Sequence, residues 1–234
     1  MAVIINIETS TSVCSAALSA EGMVLVHRES FSGQNHATCL SGFIKDCLDY
    51  AHDHEMEIEA VAVSIGPGSY TGLRIGLSEA KGLAYALNIP LIGISTLKIM
   101  ATHVMFLPEV EPDAMYAPMI DARRMEVYTA VYDLALTPLL PPSPMILSPE
   151  SYAGWLNQGT VLFFGNGSDK AKSLITSPNA RFISDIVPLA SDMTPLSELA
   201  YSRRDFLDLA YSVPEYLKEY QAVKSTNPLL KKLS

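Results

Sequence analysis

The chain has 234 residues, 49% of them hydrophobic and 18% charged, with a mean hydropathy of +0.21. That excludes a disordered chain and suffices for one large domain or two smaller lobes. Lysine plus arginine total 16 against 25 aspartates and glutamates, and the formal charge of -9 repels a polyanion such as RNA on average. No apolar run approaches the ~20 residues that span a bilayer, so no membrane association is expected. The first residues carry no basic leader pattern. Cys14, Cys39 and Cys47 form no CxxC pair, so a reducing cytoplasm is the expected compartment.

Apolar periodicity predicts strands over 2–7, 12–19 and 23–30, a meander with a Glu21-Gly22 turn. Leu40, Phe43, Ile44, Cys47, Leu48 and Ala51 recur at helical spacing and predict a helix with one apolar face. A buried strand over 60–65, a helix over 72–87 and a strand over 91–94 follow. A helix capped by Ser95 or Thr96 then runs to about residue 106. The proline-rich, acidic stretch 108–113 reads as a lobe boundary.

Beyond it, strands over 115–120 and 125–133 flank an Asp121-Ala122-Arg123-Arg124 turn, and 137–144 reads as a proline-rich connection. Ser148 is placed to cap a helix that has Pro149 at its first position. A strand over 161–164 ends in Gly165-Asn166-Gly167. A short helix over 168–175, a strand near 181–183 and a helix over about 195–210 complete the map. A meander followed by alternating helices and strands, occurring twice, predicts two related α/β lobes in the actin-like ATPase (ribonuclease H-like) arrangement, with limits 1–107 and 108–210.

The glycine-rich segment Gly66-Pro67-Gly68-Ser69-Tyr70-Thr71-Gly72-Leu73-Arg74-Ile75-Gly76 joins a buried strand to a helix. Glycines there permit tight turning and close backbone approach, and a helix start can bind an anion. It is no Walker A loop, because no Gly-Lys-Ser/Thr follows. Nor is it GxGxxG, since Thr71 holds the third glycine's place. Gly72, Gly76 and Ala80 form a small-residue stripe, which fits close packing against a helix of the same lobe or of another protein. Glu8-Thr9-Ser10-Thr11-Ser12 reads equally as a polar turn and as a phosphate or magnesium-water site. The five histidines form no zinc pair, no Ser/His/Asp or Cys/His set emerges, and neither a metal site nor a catalytic set is assigned.

Taken together, IETSTSVCSAAL at 7–18, GPGSYTGLRIGLSEAKGLAYALNIPLIGISTL at 66–97 and DARRMEVYTAVY at 121–132 resemble the TsaB (YeaZ) family, with GNG at 165–167 and PEYLKE at 214–219 continuing the match. One departure is Glu8, where the family commonly has aspartate. The resemblance implies the actin-like fold, with 211–234 returning to the first lobe. It implies a non-catalytic partner of the transferase TsaD, which forms threonylcarbamoyl-adenosine beside the anticodon of tRNAs reading codons that start with A.

The ATPase TsaE would join the assembly, tRNA would be met only indirectly, and the isolated chain could form a homodimer. No cofactor is required of this chain, with ATP or ADP and magnesium entering at the level of the complex. Pairing through the first lobe points to His36, Leu40, Phe43, Gly72, Leu73, Gly76, Leu77 and Ala80 as interface residues. The competing reading is an ATPase or small-molecule kinase that uses Glu8, Thr9 and Ser69 around a nucleotide. The missing ligand histidines argue against a metallopeptidase.

Overall fold

Two five-stranded sheets repeat one strand order. In the first, β3 (Met23–Ser30), β2 (Cys14–Ala20), β1 (Ile4–Glu8), β4 (Ala60–Gly66) and β5 (Leu91–Ser95) lie side by side. In the second, β8 (Pro138–Ile146), β7 (Glu126–Tyr132), β6 (Met115–Asp121), β9 (Val161–Phe164) and β10 (Ala180–Ile183) do the same. In both, the first three strands are antiparallel and the last two run parallel to the central one. This is the actin-like arrangement. The structure is a computed structural model, and it describes residues 2–218 apart from 34, 109 and 112.

The first sheet is apolar on both faces, which is why its inner strands are continuous apolar runs. Ile5, Ile7, Val61 and Val63 face Leu40, Ile44 and Cys47 of α1 (His36–Asp53) and Leu77, Ala80 and Ala84 of α2 (Tyr70–Leu87). Alternation along a strand sends Ile4, Ala60 and Ala62 to the opposite face. That face is covered by α6 (Thr194–Arg203), which arrives after a 3-10 turn at Ala190–Met193. α3 (Thr96–Met105) is shared in return: Ile99 stays against the first sheet, while Leu97, Met100, Ala101 and Val104 pack with Tyr116, Tyr132 and Phe164 of the second. The lobes therefore exchange a helix, and 190–203 packs with the first lobe, not the second in which the sequence limits placed it.

Four local expectations are corrected. The proline-rich stretch 137–144 is mostly strand β8, paired with β7 from Glu126↔Ile146 to Tyr132↔Pro138. It lies at the sheet edge, where missing N–H groups leave no ladder bond unmade and the prolines blunt further pairing.

Ser148 caps no helix at 149. Its N–H instead donates to Ser151 Oγ, and only the short α4 (Ala153–Leu156) follows. The turn is anchored by Tyr152, buried at φ 65°, whose hydroxyl donates to Thr129 Oγ1 at 2.8 Å. The last helix stops at Arg203 because Arg204 is left-handed, with φ 54°. The helix over 168–175 likewise shortens to α5 (Ser168–Lys172).

Replacing Tyr152 with Phe removes that buried hydroxyl bond and is expected to cost about 1 kcal/mol in urea unfolding. An unchanged midpoint would show that the ring alone holds the turn.

Candidate functional site

The glycine segment and the Glu8-to-Ser12 turn form one interlock. Thr9 and Ser10 follow β1, and both are fully buried beneath the start of α2. Ser69 N–H donates to the Ser10 carbonyl at 2.6 Å, and Thr9 Oγ1 donates to the Gly72 carbonyl at 2.8 Å. Ser69 Oγ in turn accepts from Gly72 N–H at 3.2 Å and caps the helix. A Cβ at Gly68 would run into the Ser10 carbonyl, one at Gly72 into the Thr9 carbonyl, and one at Gly76 into Thr9 Oγ1. The stripe thus packs against a strand turn of its own lobe, and neither helix partner offered by the spacing is what it meets.

This corrects the site residues read from sequence. Thr9 is buried, with its hydroxyl given to the Gly72 carbonyl, whereas Ser69 is exposed and its Oγ only accepts from Gly72 N–H. Leu40, Leu73, Leu77 and Ala80 are core residues, and Gly72 and Gly76 are closed off by Thr9. Phe43 is half-buried against the same core. His36 is half-buried with Nε2 3.0 Å from the Thr11 carbonyl oxygen. What the two helices present outward is a shallow groove of about 520 Å³ lined by Ala37, Arg74, Ile75, Ser78 and Glu79. Ser41 Oγ donates to Glu79 at 3.1 Å and ties α1 to α2 along it.

Glu8 ends β1 with no exposed surface. Ser10 N–H donates to its Oε1, while Oε2 has no partner among the described residues. Burial pushes its pKa up to about 7, against the pull of the Ser10 bonds, and Asp192 raises it further. A carboxyl with no exposed surface is a poor ligand for magnesium, which keeps several of its waters. Of the three residues read from sequence around a nucleotide, Glu8 and Thr9 are enclosed and Ser69 is exposed. Among the described residues no group of three or more His, Cys, Asp or Glu could hold a metal ion, and no helix is long and apolar enough to cross a membrane.

Sequence reasoning missed how the lobes are joined. His103 on α3 bonds Asp192 at 3.0 Å, which raises the histidine's pKa, and Ala190 N–H donates to Ser15 Oγ at 2.9 Å. Residues 204–218 then run back across the first lobe as a strap. Leu207 N–H donates to the Leu91 carbonyl at 2.8 Å, and Glu215 N–H to that of Ile65 at 2.7 Å. Lys81 Nζ donates to the carbonyls of Ala210 and Ser212. Tyr216 stacks near Tyr70 and accepts from Arg74 Nε at 3.1 Å, and Lys218 pairs with Glu126 of β7. The strap lies on Gly66, where a Cβ would fall 2.7 Å from the Glu215 carbonyl oxygen. The part of 211–234 beyond Lys218 lies outside the described residues.

Residues 30–226 match the family described as TsaD: tRNA N6-adenosine threonylcarbamoyltransferase. The tRNA threonylcarbamoyladenosine biosynthesis protein TsaB of Bacillus subtilis is 29% identical over 94% of this chain and 95% of its own length. The Escherichia coli protein of the same name is also 29% identical, over 94% and 96%. The solved structure of YeaZ from Pseudomonas aeruginosa superposes with a TM-score of 0.77 at 29% identity, covering 93% of this chain and all of that one.

Two measurements check the interlock and the buried acid. Gly76→Val is expected to cost at least about 2 kcal/mol by overpacking Thr9. By contrast Gly82→Ala, on the exposed side of the same helix with nothing within 4 Å, should gain about 0.5–1 kcal/mol. Equal effects would contradict the interlock.

Glu8 binds its proton more tightly folded than unfolded. Its contribution is therefore fully present below the ordinary value of 4.5 and is lost as pH rises to about 7. Over that window wild type should lose about 3 kcal/mol relative to Glu8→Gln. Parallel pH–stability curves for the two proteins would contradict this.

Proposed function

The chain belongs to the TsaB family, and on that premise we propose that it acts in tRNA threonylcarbamoyladenosine biosynthesis as a non-catalytic partner of a TsaD-type transferase. The observation that carries this reading is the interlock of Thr9 and Ser10 with the glycine row, which uses the turn after β1 for packing. The first lobe's outward surface is then the α1–α2 face. It presents Arg74 and Glu79 beside the small residues Ala37 and Ser78, a combination suited to close helix contact with charged pairs at its rim. Gly72, Gly76 and the buried leucines hold that face in shape from beneath.

Ser78 and Ala37 are exposed and lie outside the core, so bulky charged replacements test the surface without disturbing the interlock. Ser78→Arg combined with Ala37→Glu is expected to weaken binding to the TsaD-type partner at least ~10-fold by titration calorimetry, about 1.4 kcal/mol, with an unchanged melting temperature. Undiminished affinity would move the interface elsewhere.

A further inference from the structure

We infer that the turn between β6 and β7 is a contact site for the phosphate backbone of RNA; this rests on the function proposed above. Arg123 and Arg124 follow one another at φ 72° and 52°, a left-handed conformation that side-chain-bearing residues rarely adopt. Both are exposed, and neither guanidinium makes a hydrogen bond or ion pair among the described residues.

The turn beneath them is fixed from several sides. Asp121 Oδ1 accepts from Arg123 N–H at 2.6 Å, and Asn166 Oδ1 accepts from Asp121 N–H at 2.9 Å. Lys170 Nζ reaches both Asp121 Oδ1, at 2.7 Å, and the Glu126 carbonyl, at 3.2 Å. The Gly165-Asn166-Gly167 loop and α5 therefore brace a turn whose two guanidinium groups point to no protein partner.

Local charge runs against the chain's average. Asp121 is neutralised by Lys170 and Glu126 by Lys218, which leaves the two arginines as unpaired positive charge on a chain of formal charge -9. A guanidinium presents a planar fork of donors that matches phosphate oxygens, and the backbone that carries the two is already fixed. The repulsion of RNA expected from net charge holds for the surface as a whole, and this turn is the exception to it.

The test uses the pair Arg123→Asn with Arg124→Gly. Both replacements tolerate positive φ, so the turn keeps its shape while the charge is removed. The chain is assembled with its TsaD-type partner, and tRNA affinity is titrated between about 50 and 200 mM salt.

The variant is expected to assemble with wild-type stoichiometry and to melt no lower. It should bind tRNAs of any anticodon about 10-fold more weakly at the low-salt end, with the slope of log K against log salt reduced by about 1 to 2. Replacing both arginines with lysine should retain most of that slope. Unchanged affinity and slope would overturn the inference. So would failed assembly in the absence of RNA, which would assign the arginines to an acidic protein surface. The same titration on the isolated chain separates the two readings. A wild-type chain that fails to assemble removes the proposed function, while the salt slope still decides the arginine site.

Discussion

The contact on which the rest of the molecule depends is the approach of the α2 backbone to Thr9 and Ser10. It is possible only because residues 68, 72 and 76 lack a Cβ. A larger side chain at any of them would lift the helix off the strand turn, since real side-chain carbons do not approach a carbonyl that closely. With the helix seated, Thr9 Oγ1 and Ser69 Oγ satisfy main-chain groups at its first turn, and the outward face of α1 and α2 is set. The same seating leaves Gly66 open to Glu215, so the strap can cross the loop. One close approach thereby orders the loop, the helix pair and the returning chain.

The second constraint is the exchange of helices between lobes. α3 follows the first sheet in sequence and packs Ile99 against it but Leu97, Met100, Ala101 and Val104 against the second, while α6, which follows the second sheet, packs on the first. His103 with Asp192, Ser15 with Ala190, and Lys218 with Glu126 add polar ties across the same junction. Glu8 sits there without exposed surface, its carboxyl accepting from Ser10 N–H. A hinge between two lobes needs few contacts across it. Here the contacts are many, which suits a part that presents a fixed surface more than one that opens and closes on a ligand.

The sheets were legible because their signals are local. The inner strands are short continuous apolar runs, and β3 begins and ends at the residues that hydropathy and its flanking turn indicate. The apolar face of α1 was equally plain, since Leu40, Ile44, Cys47 and Ala51 recur at helical spacing and are buried. β8 was hidden because proline argues against a strand until its edge position is known. Ser148 carried a sound capping pattern that lost to the burial of Tyr152. The stripe on α2 showed that something must come close, yet spacing cannot say what. The turn at Glu8 and the glycine row were read as separate motifs, though each exists to receive the other. Their meeting joins residues more than fifty positions apart, which no window along the chain contains.

The central claim is that this chain acts through its α1–α2 surface and not through chemistry at the β1 turn. Reconstituted threonylcarbamoylation of tRNA with the TsaD-type partner compares the two places directly. A chain carrying Glu8→Gln with Ser69→Ala should support modification at a rate within about twofold of wild type, whereas Ser78→Glu with Ala37→Glu should lose most of the stimulation by adding like charge beside Glu79. Loss of activity in the first variant, with both proteins folded and the surface variant unaffected, would contradict the account.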